Sequence, residues 1–391
     1  MRPPIHTYLA SDVHYPSSLF SLERHEVLPY ERLAYEVLHI GIPALNHRNL
    51  PESITVDFAS LPPGGPPWLL NASIAAKLTG STVNGFVVSF PELAPLLFHS
   101  FAHVVGHPLL EGLKENGGIK DPTAIRTLIG DFVAGANLAV REYRSGGCGF
   151  AVRAAFNHFG IGPLTIYDRF ETYCGLSRLI ANHEVAHAYT LQMTKRPPKD
   201  AAESRAFEIL ADSVAAVWSY RKCIAQTPDT SEYREFRGLN TYADCIYSNA
   251  SGAMKTQLLL VLLMAIAGAQ RTAGHVTLAG GTRHPSSILR GLFQHINLNT
   301  LVASNYSSIL SREQLAHLRA IFAEGLLKLV AGSVLSGPEI PLVFDDHEVA
   351  AIETAGELLN EIDIPELRKA RPAFSSIRPL AAKFRAEHGL S

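Results

Sequence analysis

Apolar residues return every three or four positions through much of this chain, the spacing that lines one face of an α-helix. Residues 176–193 read as one such helix. Lys195-Arg196-Pro197-Pro198-Lys199 then stops the pattern, because the residue before a proline is pushed out of the helical region. Asp200-Ala201-Ala202-Glu203 reads as a capping box. It opens a second helix through Ala206, Phe207, Ile209, Leu210, Val214 and Val217 toward Trp218. Further helices are predicted over 121–144 and 150–160, over 311–330 behind a Ser311–Gln314 cap, and over 345–362. Asp168-Arg169-Phe170-Glu171 is another capping pattern, leading into the 176–193 helix.

Residues 83–90 break this rhythm. They are rich in β-branched and aromatic side chains and predict a strand, after which Pro91-Glu92 opens a helix. Residues 1–60 read as helix plus loop, 61–67 as a Pro/Gly punctuation, and 226–249 as polar and loop-rich. The fold class is therefore α+β and mostly helical, with a small antiparallel or mixed sheet and helical insertions. The chain divides into an N-terminal segment (1–60), a central domain (61–300) with a helical insertion at about 92–165, and a C-terminal helical segment (301–391).

Composition narrows the class. With 391 residues, 47% of them hydrophobic and 18% charged, the chain has the make-up of an ordered globule with a large core. A net charge of −2 offers no basic surface for nucleic acid. Cys148, Cys174, Cys223 and Cys245 show no CxxC spacing, so they read as reduced, packed thiols suited to a cytoplasm. Met1 to His6 lacks the apolar core of a signal peptide. The greasiest run, residues 258–268, is about half the ~20 residues that span a bilayer and reads as a buried helix. Membrane association is not expected.

The chemistry sits at His183-Glu184-Val185-Ala186-His187, an HExxH motif. Residues four apart on a helix share a face, so His183 and His187 can offer two imidazoles to one metal ion. Glu184 follows the first ligand and is placed to take a proton from metal-bound water. HExxH arises by chance roughly once in 20 chains of this composition, so a second feature carries weight. Glu208 and Asp212 supply it as an ExxxD pair on the following helix. Two helices joined by a short connection pack antiparallel, which brings Glu208 back as a third ligand and leaves a fourth position open, as in catalytic zinc sites. Asp212, one turn on, is placed to accept the second imidazole N–H of a ligand histidine. Glu203 is better explained by capping.

HExxH followed by ExxxD resembles the gluzincins, zinc peptidases with thermolysin-like sites. Two further stretches are similar to the prenyl-protein endopeptidase family and related small gluzincins. Asn71-Ala72, with the strand 83–90 after it, resembles their NAxA segment and edge strand. His284-Pro285-Ser286-Ser287-Ile288-Leu289-Arg290 matches their HPxxxxR motif. The membrane spans of the prenyl-protein endopeptidases are missing, and the chain looks more like soluble Lit-type phage-exclusion peptidases. The resemblance implies a zincin-like core, Zn2+ as cofactor, and an edge strand that pairs with extended substrate. It also implies His284 as oxyanion donor, and Arg290 as a brace of the site or a binder of a substrate carboxylate.

The function so implied is hydrolysis of peptide bonds in a protein or peptide substrate. The alternative is a zincin-fold binding or regulatory module without turnover, against which the intact Glu184 speaks. A third reading is a helical protein with a fortuitous motif. His99, His103 and His107, spaced i, i+4, i+8, are a rival stripe. They lack a neighbouring carboxylate, and Gly106 with Pro108 predicts that their helix ends at His107.

Overall fold

The structure is a computed structural model that describes residues 12–41, 53–61, 72–79, 82–114, 122–273, 285–331, 346–360 and 364–369. It is mostly helical with one small mixed sheet. The chain forms two compact units, 1–188 with 266–277 and 189–265 with 278–391.

The first unit contains β1 (Val13–His14), α1 (Arg24–Glu36), β2 (Ser53–Ala59), β3 (Ser73–Thr79) and β4 (Thr82–Pro91). The strands lie in the order β1-β2-β4-β3. β1 and β4 run parallel to β2, while β3 runs antiparallel to β4. In β4, Phe86, Val88 and Phe90 are buried while Val87 and Ser89 are half-buried, the period-2 pattern of a strand with one face on a core. Ile54, Val56 and Phe58 are buried in β2, as is Thr55 between them. Phe58 meets the rings of Tyr15, Tyr30 and Phe90 at 5.6, 5.3 and 6.2 Å. Tyr30 donates its hydroxyl to the Glu92 carbonyl at 2.9 Å, which ties α1 to the end of β4.

Two expectations need correction here. Residues 1–60 are not only helix and loop, because β1 and β2 lie among them. The strand at 83–90 does not occupy an edge either. β4 is paired with β2 on one side and β3 on the other, so its backbone groups are already used. Among the described strands the outer antiparallel position belongs to β3, which begins directly after Ala72.

The stretch predicted as a helical insertion is helical. It holds α2 (Ala94–Phe101), a π-helical turn (Ala102–Gly106), α3 (His107–Lys114), α4 (Pro122–Gly146) and α5 (Cys148–Phe159). The helix does not end at His107. The wide turn at 102–106 carries the chain past Gly106, and Pro108 falls in the first turn of α3, where a proline's missing N–H costs little. Gly160 closes α5 in the left-handed conformation, at φ 65°. The long helix α6 (Phe170–Thr194) follows.

The second unit carries α7 (Ala201–Tyr220), α8 (Ser231–Arg237), α9 (Tyr242–Ala273) as far as Ala265, α10 (Ser287–Tyr306), α11 (Arg312–Ala331) and α12 (Asp346–Leu358). Every residue of α7 from Arg205 to Tyr220 is buried, so this is a central helix rather than an amphipathic surface one. Gly291 lets α10 lie close to its neighbours. A β-carbon there would come within 2.1 Å of Val261 Cγ2 and 3.0 Å of Phe322 Cε2. Ser311 and Gln314 cap α11 reciprocally.

The stretch read as loop at 226–249 instead contains α8 and the start of α9. The apolar run at 258–268 belongs to a helix of 32 residues. Its stretch Tyr242–Gly268 is long and apolar enough to cross a membrane, and 72% of the most apolar window is buried inside the protein.

Candidate metal centre

The helix that bears HExxH is anchored along its length. Arg169, just before α6, donates to the His103 carbonyl at 2.8 Å. Tyr173 donates its hydroxyl to the Pro29 carbonyl at 2.6 Å. Arg178 forms two 3.3 Å contacts with the fully buried Glu36 carboxylate, which Arg32 also grips. A buried carboxylate shared by two guanidiniums resists displacement, because losing one partner would leave an uncompensated charge. The first three turns of α6 are thereby fixed before the motif begins.

His183 and Glu184 are buried and His187 is half-buried. The Nε2 atoms of the two histidines lie 3.0 Å apart, with ring centroids at 4.6 Å and planes at 84°. A ligand oxygen of Glu208 completes the cluster. The three donor atoms all lie within 4.8 Å of one another, and among the described residues this is the one group of three such side chains so placed. Two imidazoles and a carboxylate are a donor set that could hold a metal ion. Two imidazole nitrogens turned toward one point, with a carboxylate oxygen beside them, are the observation that fits a metal.

The carboxylate helix starts where the sequence places it. Asp200 accepts the Glu203 amide at 2.8 Å as the N-cap of α7. Glu203 turns back to the connection, taking the Lys199 amide at 2.6 Å and a two-pronged contact from Arg196 at 2.6 and 2.7 Å. That fork, with the Lys199 amide, holds its carboxyl at about 2. Beyond the connection, Tyr189 meets Trp218 edge-on, with centroids 6.1 Å apart, so the end of α6 lies along α7.

Glu208 and Asp212 are one turn apart on α7, at 8% and 0% exposure. Arg290 on α10 grips Asp212 through Nε at 2.9 Å and Nη2 at 3.2 Å, and the same Nη2 lies 3.4 Å from Glu208 Oε2. Arg290 Nη1 points to Met264 Sδ at 3.7 Å. Gln294, one turn after Arg290, donates to Asp212 at 2.7 Å. Arg290 thus stands as a brace between two carboxylates of α7. Sequence reasoning missed Gln294 and Met264. The signal for Gln294 is its i+4 spacing from Arg290, which places it on the same face of α10.

Other predicted residues fall elsewhere. Asn71 and His284 lie outside the described residues, whereas Pro285 and Arg290 lie within them. His99 and His103 are buried, their rings stacked at 6.1 Å, and neither Nδ1 has a hydrogen-bond partner among the described residues. Burial, with His103 beside it, pushes His99 down to about 3. Burial, then the charge of Arg169, pushes His103 down to about 4. His107 is half-buried in α3. Burial raises the Cys174 thiol to about 11, which makes it a poor nucleophile.

No family model, curated protein or solved structure matches this chain.

Proposed function

We propose that this protein is a zinc-dependent peptidase of the gluzincin type. The convergence of His183 Nε2, His187 Nε2 and a Glu208 oxygen, with Glu184 next to the first ligand, is the observation that carries this reading. His183, His187 and Glu208 would hold the ion. When bound, zinc would bring the pKa of a water toward ~7 and draw charge from a carbonyl oxygen.

The chain's own residues supply the rest. Glu184 accepts the proton of the attacking water at its carboxylate and passes it to the leaving amine nitrogen. The anchors of α6 hold the two imidazoles in register, and Arg290 with Asp212 keeps the Glu208 carboxylate in place. The substrate is a protein or peptide, and the compartment is the cytoplasm, where four unbridged cysteines are at home.

The test compares wild type with Glu184→Gln in a cell extract, identifying cleaved proteins by mass spectrometry. New termini made by wild type and lost by at least ~100-fold in a zinc-loaded Glu184→Gln support the reading. Equal cleavage by both proteins removes Glu184 as the base. A zinc-loaded wild type that cleaves nothing points instead to the binding-module alternative.

A further inference from the structure

Arg290 is not the end of the contacts that converge on α7. Gln294 is 2% exposed, and its Nε2 donates to Asp212 Oδ1 at 2.7 Å, the oxygen that also receives Arg290 Nη2. A buried amide is costly unless its hydrogen-bonding groups are used, and packing alone would be served by an apolar residue. The donor therefore has a task at this position.

A carboxylate held by one guanidinium can rotate together with it, since the pair moves as a rigid fork. A third donor from a different residue fixes the carboxylate plane. Asp212 then fixes Arg290, whose Nη2 lies 3.4 Å from Glu208 Oε2. We propose that Gln294 is a positioning residue of the metal centre. Its amide locks Asp212, Asp212 locks the Arg290 guanidinium, and Arg290 orients the Glu208 carboxylate toward the ion. Outer contacts of this kind tune metal affinity without touching the ion. The proposal rests on the reading of His183, His187 and Glu208 as ligands.

A neighbouring contact provides the control. Asn297, on the same face of α10, donates to Ser213 Oγ at 3.0 Å and so joins the same two helices without meeting Asp212.

The experiment measures Zn2+ affinity of metal-stripped full-length protein by chelator competition, and the visible spectrum of its Co2+ form. Gln294→Met should weaken zinc about 10-fold and shift the cobalt bands, with helix content unchanged. Added to Asp212→Ala, Gln294→Met should cause no further loss, because the amide acts through that carboxylate. Asn297→Leu should leave zinc affinity and spectrum as in wild type. Unchanged affinity and spectrum in Gln294→Met overturn the role of Gln294 while leaving the metal centre intact. An equal loss in Asn297→Leu also overturns it, since loosening of the helix pair would then be the cause. A wild type without zinc that His183→Ala removes brings down both the centre and the positioning role. Should Gln294→Met fail to fold, Gln294→Glu, which keeps the length and replaces the donor with an acceptor, is read against the same outcomes.

Discussion

His183 and His187 face one another with Nε2 atoms 3.0 Å apart and ring planes at 84°. His99 and His103 have the same spacing in sequence, yet their rings lie nearly parallel, at 28°, with centroids 6.1 Å apart. The backbone makes the difference. The first pair sits inside an unbroken α-helix, where four residues complete about one turn. The second pair crosses from α2 into a π-helical turn, where hydrogen bonds run i→i+5 and a four-residue step falls short. The surroundings diverge as well. His99 is enclosed by the rings of Phe156, Phe170 and Tyr173 at 5.2 to 6.1 Å, and the Arg169 cation acts on His103. His183 and His187 have the Glu208 carboxylate. Spacing on a helix is thus only the first condition for a metal site. An unbroken turn and a third donor beside the two imidazoles are the others.

The comparison breaks most decisively on metal content. His183→Ala or His187→Ala should remove the single zinc expected per chain, measured by elemental analysis of protein purified in zinc-replete medium. His99→Phe should leave it. Zinc that survives the double substitution at 183 and 187, and disappears with His99→Phe, would reverse the assignment.

Glu208→Ala sharpens the contrast by reducing the first pair to two histidines without a third ligand. Zinc affinity should fall beyond the ~100-fold upper end for outer contacts, while Asp212→Ala should cost ~10- to 100-fold. Chelator competition ranks the two. Affinity that survives Glu208→Ala but is lost in Glu203→Ala would move the third ligand to the start of α7.

How far this was legible follows from the range of each signal. The HExxH helix, the break at Pro197-Pro198 and the Asp200 cap are local, and the helices α6 and α7 lie where the residues place them. The sheet is not local. Only β4, the longest strand, was anticipated. β3 reads Ser-Ile-Ala-Ala-Lys-Leu-Thr, with too few β-branched side chains to announce itself, and β1 has two residues. That β4 lies between β2 and β3 depends on pairings across tens of residues, which no periodicity reports. At the site, Glu208 and Arg290 were flagged by motif spacing. Gln294 was not, because a glutamine on an amphipathic helix looks like a solvated position until α7 is seen to be buried all round. The polar residues Lys255 and Gln257 likewise hid the unbroken length of α9, although Gln257 is 1% exposed.

The second pair has a signature of its own, in acid. Both histidines ionise far below their usual value near 6.5, with His99 at about 3 and His103 at about 4, chiefly because burial penalises the charged ring. Above pH ~6.5 both folded and unfolded chains hold them neutral, so their contribution to stability is complete. Below that pH the unfolded chain takes up protons that the folded one refuses, and stability falls until the folded values are reached. The fully buried His99 ring contributes up to about 1.4 kcal/mol per pH unit over this window, and the less enclosed His103 ring less. Unfolding followed between pH 7 and pH 4 should show this slope, and His99→Phe should flatten it. A slope unchanged in His99→Phe would place the acid sensitivity elsewhere, for which His295, lowered to about 4 by its own burial, is the next group to test.

The smallest effect belongs to the cap that sets where α7 begins. Asp200 accepts the Glu203 amide, and Glu203 in turn holds Arg196 and the Lys199 amide, so the connection and the first turn are tied together. Neither residue belongs to the group of three donors. Removing either side chain should therefore act on the helix end alone. Asp200→Ala and Glu203→Ala should each lower stability by about 1 kcal/mol, the usual worth of a helix cap, with zinc affinity unchanged. Denaturant unfolding measures the first quantity and chelator competition the second. The central part of α7 is buried on all sides and is positioned by packing, so fraying of its first turn should not travel the five residues from Glu203 to Glu208. If Asp200→Ala weakened zinc as much as Asp212→Ala, the register of Glu208 would depend on the cap. The third donor that separates the two histidine pairs would then be set by the connection between helices rather than by the core.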